Sequence, residues 1–238
     1  MELAIIGYGR MGREIEAIAL QRGHSVRLII DVDNISDLNR KNLAGIDAAI
    51  EFSLPSTAFQ NISFCLDHST PVVSGTTGWQ IDFEKIKELC ANNKTSFIHS
   101  SNYSIGVNLL FRLNAELAKQ MNKYSEYAVS IEETHHIKKI DAPSGTAISL
   151  AKSIINEHDR YSSWHKGNIA GNGSIPVESF REGEATGTHI VKWNSDIDSI
   201  SLIHDSKSRK GLALGAVVAA EFIAKRIGIF TMEDVMGF

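Results

Sequence analysis

Leu3, Ala4, Ile5 and Ile6 form an apolar run that leads straight into Gly7-Tyr8-Gly9-Arg10-Met11-Gly12, and no other feature narrows the choice of fold as sharply. A bare G-x-G-x-x-G is common. One that follows a buried strand and opens a helix is the phosphate-binding turn of a βαβ unit. Each glycine then has its own reason. Gly7 permits the tight turn, Gly9 lets the backbone approach a pyrophosphate, and Gly12 lets helix and strand pack closely. The first N–H groups of such a helix lack intrahelical partners and point at the phosphate. The motif predicts a helix over residues 13–21, with Ile15, Ile18 and Ala19 on its apolar side and Gly23 just past its end.

The pattern then repeats. Apolar strands are expected at 26–30, 48–52, 71–73 and 95–98, with amphipathic helices at 57–66 and 81–90. Alternating strands and helices imply a parallel sheet covered on both faces. Beyond residue 104 the order changes. A long helix is expected over 104–121, a half-exposed strand around Tyr127, Val129 and Ile131, and a helix over 144–155. Strand-like runs at 177–180, 188–193 and 199–204 have no helix between them, which reads as antiparallel. Residues 164–174 read as a surface loop, and an apolar helix over 211–226 is expected to return to the first domain. The fold class is α/β. A Rossmann-type, doubly wound parallel sheet spans residues 1–104 and is rejoined by 210–238, and an α+β domain with a mixed or antiparallel sheet spans 105–209. Hinges are expected near Ser104 and Gly211.

Charge and composition narrow the partners. Lys plus Arg number 24 against 28 Asp plus Glu, so the chain lacks the field that would hold it on nucleic acid or an anionic membrane. Cys65 and Cys90 alone make neither a disulfide scaffold nor a Cys-rich zinc module, and they fit a reducing compartment. The longest strongly apolar stretch, residues 211–220, is half the ~20 residues needed to span a bilayer. The first residues lack a basic segment ahead of a long apolar core. The expectation is a soluble cytoplasmic protein with no nucleic-acid or membrane partner.

Asp31 lies 19 residues after Gly12, at the end of the second expected strand, where a carboxylate bonds the adenosine ribose hydroxyls of a dinucleotide. No Arg or Lys follows it directly. A 2′-phosphate ~4–5 Å from Asp31 would be repelled by roughly 1–4 kcal/mol, so NADH is expected to be preferred over NADPH. Asp33 is a close rival for the same role, and Arg10 stands where it would flank a phosphate.

A second stretch, Glu133-Thr134-His135-His136-Ile137-Lys138-Lys139-Ile140-Asp141-Ala142-Pro143-Ser144-Gly145-Thr146-Ala147, places two imidazoles and two ammonium groups ahead of a helix start. Pro143 keeps Ala142 extended, and Ser144 then reads as an N-cap. The N–H groups of Gly145 and Thr146 would point out of the helix toward a carboxylate or phosphate, and Gly145 has no side chain to block it. His135 and Lys139, four apart, are expected on one side of a strand or helix. Histidine suits proton transfer near neutral pH, and a lysine near another cation gives up its proton more readily. His135 and His136 are neighbours and would point to opposite faces, with no nearby His or Cys to complete a zinc set, so no metal is expected.

At this point the residues resemble the 4-hydroxy-tetrahydrodipicolinate reductase (dihydrodipicolinate reductase) family of the diaminopimelate and lysine pathway. The resemblance covers essentially the whole chain, and its specific part is residues 132–147. Residues 7–12, 74–78, 100–108, 181–189 and 230–235 support it. It implies an N-terminal nicotinamide-binding domain and a C-terminal domain that binds a small dicarboxylate and assembles a homotetramer. It also implies His135 as acid/base, Lys139 as proton donor, and His136, Gly145 and Thr146 as ligands of the substrate carboxylates. Gly75, Thr76, Thr77, Ser100, Ser101, Asn102 and Tyr103 would lie along the cofactor with Gly7, Tyr8, Gly9, Arg10, Met11, Gly12 and Asp31. The chain departs from the family in a glycine loop one residue shorter than in many members, in a short segment between Asp31 and Ala48, and in Tyr103 where Phe is familiar.

The implied chemistry is hydride delivery to a ring carbon conjugated with an imine, with a proton from His135 or Lys139. Two other readings stay open at this stage: another NAD-linked reductase of a small imino or amino acid, and a non-catalytic nicotinamide-binding sensor. His135 and Lys139 argue against the sensor, because cofactor binding alone needs neither.

Overall fold

The computed structural model describes residues 1–79, 82–169 and 173–238. The expected helix start at Ile81 and part of the expected 164–174 loop lie outside those residues. The chain forms two compact units, Met1–Ile105 with Arg209–Phe238, and Gly106–Ser208.

The first unit begins with β1 (Glu2–Ile6), α1 (Arg10–Gln21) and β2 (Ser25–Ile30). Leu3, Ala4, Ile5 and Ile6 are all buried, as a strand covered on both faces requires. Helix α1 starts at Arg10, three residues earlier than the motif suggested. The turn is complete at Gly9, which is extended, so Gly12 already lies inside the helix. A 3₁₀ turn (Val32–Asp37) and α2 (Arg40–Leu43) follow, then β3 (Ala48–Glu51), α3 (Pro55–Asp67), β4 (Val72–Ser74), α4 (Phe83–Asn92) and β5 (Ser96–His99). Asp82 caps α4 by accepting from Lys85 N at 3.0 Å.

The second unit comprises α5 (Ile105–Met121), β6 (Ala128–His135), α6 (Gly145–Glu157), β7 (Ser163–Lys166), β8 (Ser174–Arg181), β9 (Thr188–Asn194) and β10 (Ser199–Asp205). Its sheet has the order β10-β9-β6-β8-β7. The strand-like runs at 177–180, 188–193 and 199–204 are therefore not a simple antiparallel series. β9 is antiparallel to β6 and β10, whereas β8 is parallel to β6 and β7. Helix α6 is the crossover between β6 and β7, so β7 runs the same way as β6 and, with β8, makes that half of the sheet parallel. Residues 163–166 are an edge strand rather than loop. Their lack of a two-residue hydrophobic period hid them. Val129, Ile131, Val177, Val191 and Trp193 form the core under α6, which contributes Ala147, Leu150, Ala151 and Ile154.

The chain closes with α7 (Lys210–Ile223), β11 (Gly228–Phe230) and α8 (Met232–Met236) in the first unit. The six-stranded sheet has the order β11-β5-β4-β3-β1-β2, with every neighbouring pair parallel. Ile15 and Ala19 of α1 and Ala213, Ala216, Val217 and Ala220 of α7 cover one face. Ala58, Ile62, Leu66, Ile86 and Leu89 of α3 and α4 cover the other. Glu221 of α7 accepts from Arg22 at 2.7 Å and lies 2.7 Å from His24 Nε2, fastening α7 to the end of α1 and the start of β2. β11, at three residues, is too short to show a period in sequence. The strand order reverses between β1 and β3, and open α/β sheets bind ligands outside the carboxyl ends of the strands at such a point.

Candidate active site

The reversal point holds a cleft of roughly 420 Å³ whose walls come from the ends of three strands. Ile6, Gly7 and Gly9 follow β1, Ile30 and Asp31 follow β2, and Phe52, Ser53 and Leu54 follow β3. Gly7 has φ +92°, a left-handed conformation that a side chain would strain, and a Cβ there would also meet Phe52 O at 2.1 Å. At Gly12 a Cβ would meet Gly7 O at 2.3 Å. At Gly9 it would meet nothing within 4 Å. Two glycines are therefore small because the protein fills the space. The third leaves space open beside the first turn of α1, whose N-cap supplies no side-chain acceptor. That combination fits a pyrophosphate.

Asp31 stands in the cleft wall and also caps the 3₁₀ turn, with Oδ1 accepting from Val32 N at 3.0 Å. Val32 and Ile35, 70% and 51% exposed, line the same cleft and offer an apolar wall of the kind a base ring needs. The wall thus includes Asp31 rather than its rival Asp33. Arg10 is exposed at the start of α1. Tyr8 hydrogen-bonds Glu16 with Arg13 over its ring, and Met11 packs against the core.

The rest of the expected cofactor loop is organised by a residue the sequence reading did not single out. Glu51 is fully buried at the end of β3 and accepts from Ser53 N at 2.9 Å, Ser74 Oγ at 2.7 Å and Thr76 Oγ1 at 2.8 Å. Thr76 Oγ1 in turn accepts from Ser53 N at 2.8 Å, so the loops after β3 and β4 are tied together. Gly75 is needed there because a Cβ would meet the Phe52 ring at 2.2 Å. Thr77 and Ser101 are exposed, and Ser100 Oγ and Asn102 Oδ1 shape the turn after β5 by accepting from Asn102 N and Ser104 N. Tyr103 is 1% exposed and its hydroxyl donates to Ser74 O and Ile98 O, so its ring packs in the core behind the turn. The hydroxyl is tolerated because two carbonyls satisfy it. A signal for Glu51 existed: it is the one acid closing an otherwise apolar strand.

In the second unit the inner face of β6 carries Val129, Ile131, Glu133 and His135 in alternation. The last two positions convert an apolar face into a charged one. Register sets their neighbours: Glu133 lies between Ser179 of β8 and His189 of β9, and His135 lies beside Arg181 of β8. Glu133 is fully buried, and both its oxygens accept from Ser144 N, at 3.0 and 3.1 Å. Arg181 donates to Glu133 Oε1 at 3.3 Å and to the carbonyls of Lys139 and Asp141, which holds the loop after β6 against the sheet.

Lys139 is not on one strand or helix with His135. His135 ends β6, and Lys139 N bonds His136 O at 3.1 Å to close a turn just after the strand. Lys139 Nζ pairs with Asp141 at 2.8 Å. His136 is half-buried beyond the strand end. Ser144 caps α6 as expected, accepting from Ala147 N at 3.3 Å. Gly145 is exposed and a Cβ there would meet nothing within 4 Å, so the first N–H groups of α6 are accessible to an anion.

Burial pushes the His135 imidazole below its ordinary range. Glu133 pulls it up, and Lys139 and Arg181 push it further down. Burial opposes the charge on Glu133, but the bond from Ser144 and the neighbouring His135 outweigh it and hold the carboxyl below the usual range. Burial, with His135 beside it, pushes His189 down to about 4. His189 was missed as a site residue because it is 54 residues from His135 and only the antiparallel ladder joins them. Potential ligand atoms of Glu133, His135 and His189 lie within 4.8 Å of one another. The Glu133 oxygens are already engaged by Ser144 and Arg181.

Residues 1–103 match the sequence family described as dihydrodipicolinate reductase, N-terminus, and residues 106–236 match dihydrodipicolinate reductase, C-terminus. The chain belongs to the dihydrodipicolinate reductase family. A 4-hydroxy-tetrahydrodipicolinate reductase from Christiangramia forsetii is 47% identical over 99% of this chain and 98% of its own. One from Psychrobacter arcticus is 31% identical over 100% of this chain and 95% of its own. The dipicolinate-bound dihydrodipicolinate reductase from a Paenisporosarcina species shares the fold, with a TM-score of 0.81, 22% identity, and coverage of 97% of each chain. The family is one of oxidoreductases, and its N-terminal nucleotide-binding fold supports NAD(P)H as the cofactor. Neither a different imino-acid reductase nor a sensor is favoured by these matches. Among the described residues no helix is long and apolar enough to cross a membrane.

Proposed function

We propose that this protein reduces 4-hydroxy-tetrahydrodipicolinate to tetrahydrodipicolinate with NAD(P)H, in diaminopimelate and lysine biosynthesis. The observation that carries this reading is the match of both family domains, residues 1–103 and 106–236, joined to the end of β6, where Glu133 ties the strand that carries His135 to the open start of α6. The bound nicotinamide supplies hydride.

The residues of this chain do the rest. The N–H groups of Gly145 and Thr146, with His136 and Lys139, hold the two carboxylates of the substrate. His135 acts as acid/base and Lys139 as proton donor when negative charge develops on the ring. A dianion between them favours the protonated imidazole and offsets the effect of burial. In the first unit the α1 N-terminus and Gly9 receive the pyrophosphate. Asp31 bonds the ribose and disfavours a 2′-phosphate, which makes NADH the preferred cofactor. Glu51 holds Thr76 and Ser53 in place, so that Gly75, Thr76 and Thr77 follow the cofactor with the turn at Ser100, Ser101 and Asn102. The working form is a cytoplasmic homotetramer.

The test is nicotinamide oxidation with substrate freshly condensed from pyruvate and aspartate semialdehyde, NADH and NADPH run in parallel. Rapid oxidation, lost in His135→Ala and strongly reduced in Lys139→Ala, is expected. No oxidation by a folded protein that binds NADH would overturn the reading.

A further inference from the structure

We propose that Glu133 is the positioning residue of the acid/base imidazole: its buried carboxylate fixes Nδ1 of His135, sets the tautomer, and selects His135 over His189 as the ring that takes the proton. The proposal deepens the functional reading above and rests on it for the role of His135.

His135 Nδ1 is buried and has no hydrogen-bond partner among the described residues. Glu133 Oε2 lies 3.6 Å from it. That is too long for a hydrogen bond and short enough for a small rotation of the ring to close. A buried ring nitrogen left unmatched is costly, and catalytic bonds are often long before substrate arrives. The carboxylate cannot be the part that moves. Ser144 N holds both oxygens and Arg181 holds one, so the ring closes on a fixed acceptor. With Nδ1–H donated to Glu133, Nε2 becomes the proton-exchanging atom.

His189 competes for the same carboxylate. Its Nε2 is 3.8 Å from Glu133 Oε2, and the two rings meet edge-on at 5.1 Å between centroids. Two imidazolium rings at that separation would repel, so one proton is shared out to one ring. Two features favour His135. His189 Nε2 already has Ser144 Oγ as a partner at 3.2 Å, and its ring is the more deeply buried, which holds it neutral. The remaining charges are spread over several elements. Arg181 of β8 and Lys139 oppose protonation of His135, Asp141 favours it, and His204 of β10 acts on His189.

The experiment is an NMR titration of ¹⁵N-histidine-labelled protein without substrate, compared with pH profiles of kcat. In the wild type, neutral His135 should show the Nδ1–H tautomer, and an Nε2–H tautomer overturns the proposal even if no variant folds. In Glu133→Gln the His135 pKa should fall by roughly 1–3 units, a tenfold or greater loss of proton affinity. The corresponding limb of the kcat profile should move with it, while the KM for the nicotinamide stays unchanged. A rate loss with an unmoved His135 pKa would mean that Glu133 only props up the Ser144 turn, and it overturns the proposal. If the wild type reduces no substrate, the functional reading fails, and the titration still decides whether Glu133 governs His135.

Discussion

Replacing Asp31 with Asn removes one charge from the nucleotide cleft and little else. The Asp31 Oδ1 that accepts from Val32 N at 3.0 Å has an equivalent in Asn. The Asp31 N–H is held by Asn34 Oδ1 at 2.7 Å, and Asn34 is anchored on Ile29 O at 2.9 Å. The turn survives, and stability should change by less than about 0.5 kcal/mol. For NADH, a charge-assisted bond to the ribose becomes a neutral one, which costs about 1–1.5 kcal/mol, or roughly 5–12-fold in Kd. For NADPH, a repulsion disappears. With Asp31 exposed, its interaction with a 2′-phosphate at about 4.5 Å lies near the aqueous limit, about 1–1.5 kcal/mol. The two effects add, so the NADH-to-NADPH preference should fall by roughly 30–150-fold. Parallel fluorescence titrations of the two nucleotides measure it directly. The NADPH half of the change should shrink at high salt, where exposed charges are screened. An unchanged preference in a folded variant would show that Asp31 neither binds the ribose nor repels the phosphate.

Other outcomes follow from the same geometry. Lys139→Ala should lower turnover by about 10–150-fold through loss of a charge-assisted contact, and Thr146→Ala by only about 2–5-fold because its backbone N–H remains. Equal losses in steady-state kinetics would refute that ranking. Gly12→Ala should destabilise the first unit by about 1–3 kcal/mol, since its Cβ meets Gly7 O at 2.3 Å, and thermal melts will report it. Gly9→Ala, facing open space, should leave the melt unchanged and weaken nucleotide binding. The hydrogen bond from Arg22 holds the Glu221 carboxyl below the usual range. Its stabilisation is therefore present above the ordinary carboxylate pKa and lost as pH falls through the lower folded value. Melts of Glu221→Gln should differ from wild type at neutral pH and converge with it in acid.

The first unit was largely legible because local chemistry writes it. The strand, glycine turn, helix and Asp31 follow one another within 31 residues, and each demands a particular residue type. The cap at Ser144 was legible for the same reason. What the sequence hid was carried by pairing across the sheet. Glu133 sat on the two-residue period of β6 and pointed inward with Ile131, a readable signal. His189 and Arg181 were brought to it only by strand register. The turn at Lys139 was misread because four-residue spacing was taken for a regular element, whereas the His136 carbonyl closes a turn there. The burial of Tyr103 was not legible, because an aromatic beside a glycine-rich loop looks the same in sequence whether it faces the cleft or the core.

The return of α7 to the first unit has a consequence for the order in which the protein can be made. Ala213, Ala216, Val217 and Ala220 cover Leu3, Ile5, Val73 and Ile98, residues that leave the ribosome long before them. The part of that face which α7 covers, beside the part already under α1, therefore stays exposed while the whole of the second unit is being synthesised. The second unit, a single continuous segment, has every residue of its own core available first. The nascent chain thus carries a partly open apolar sheet from the end of β5 to the start of α7, and a chain truncated before residue 210 would have its inserted half complete and its nucleotide half not.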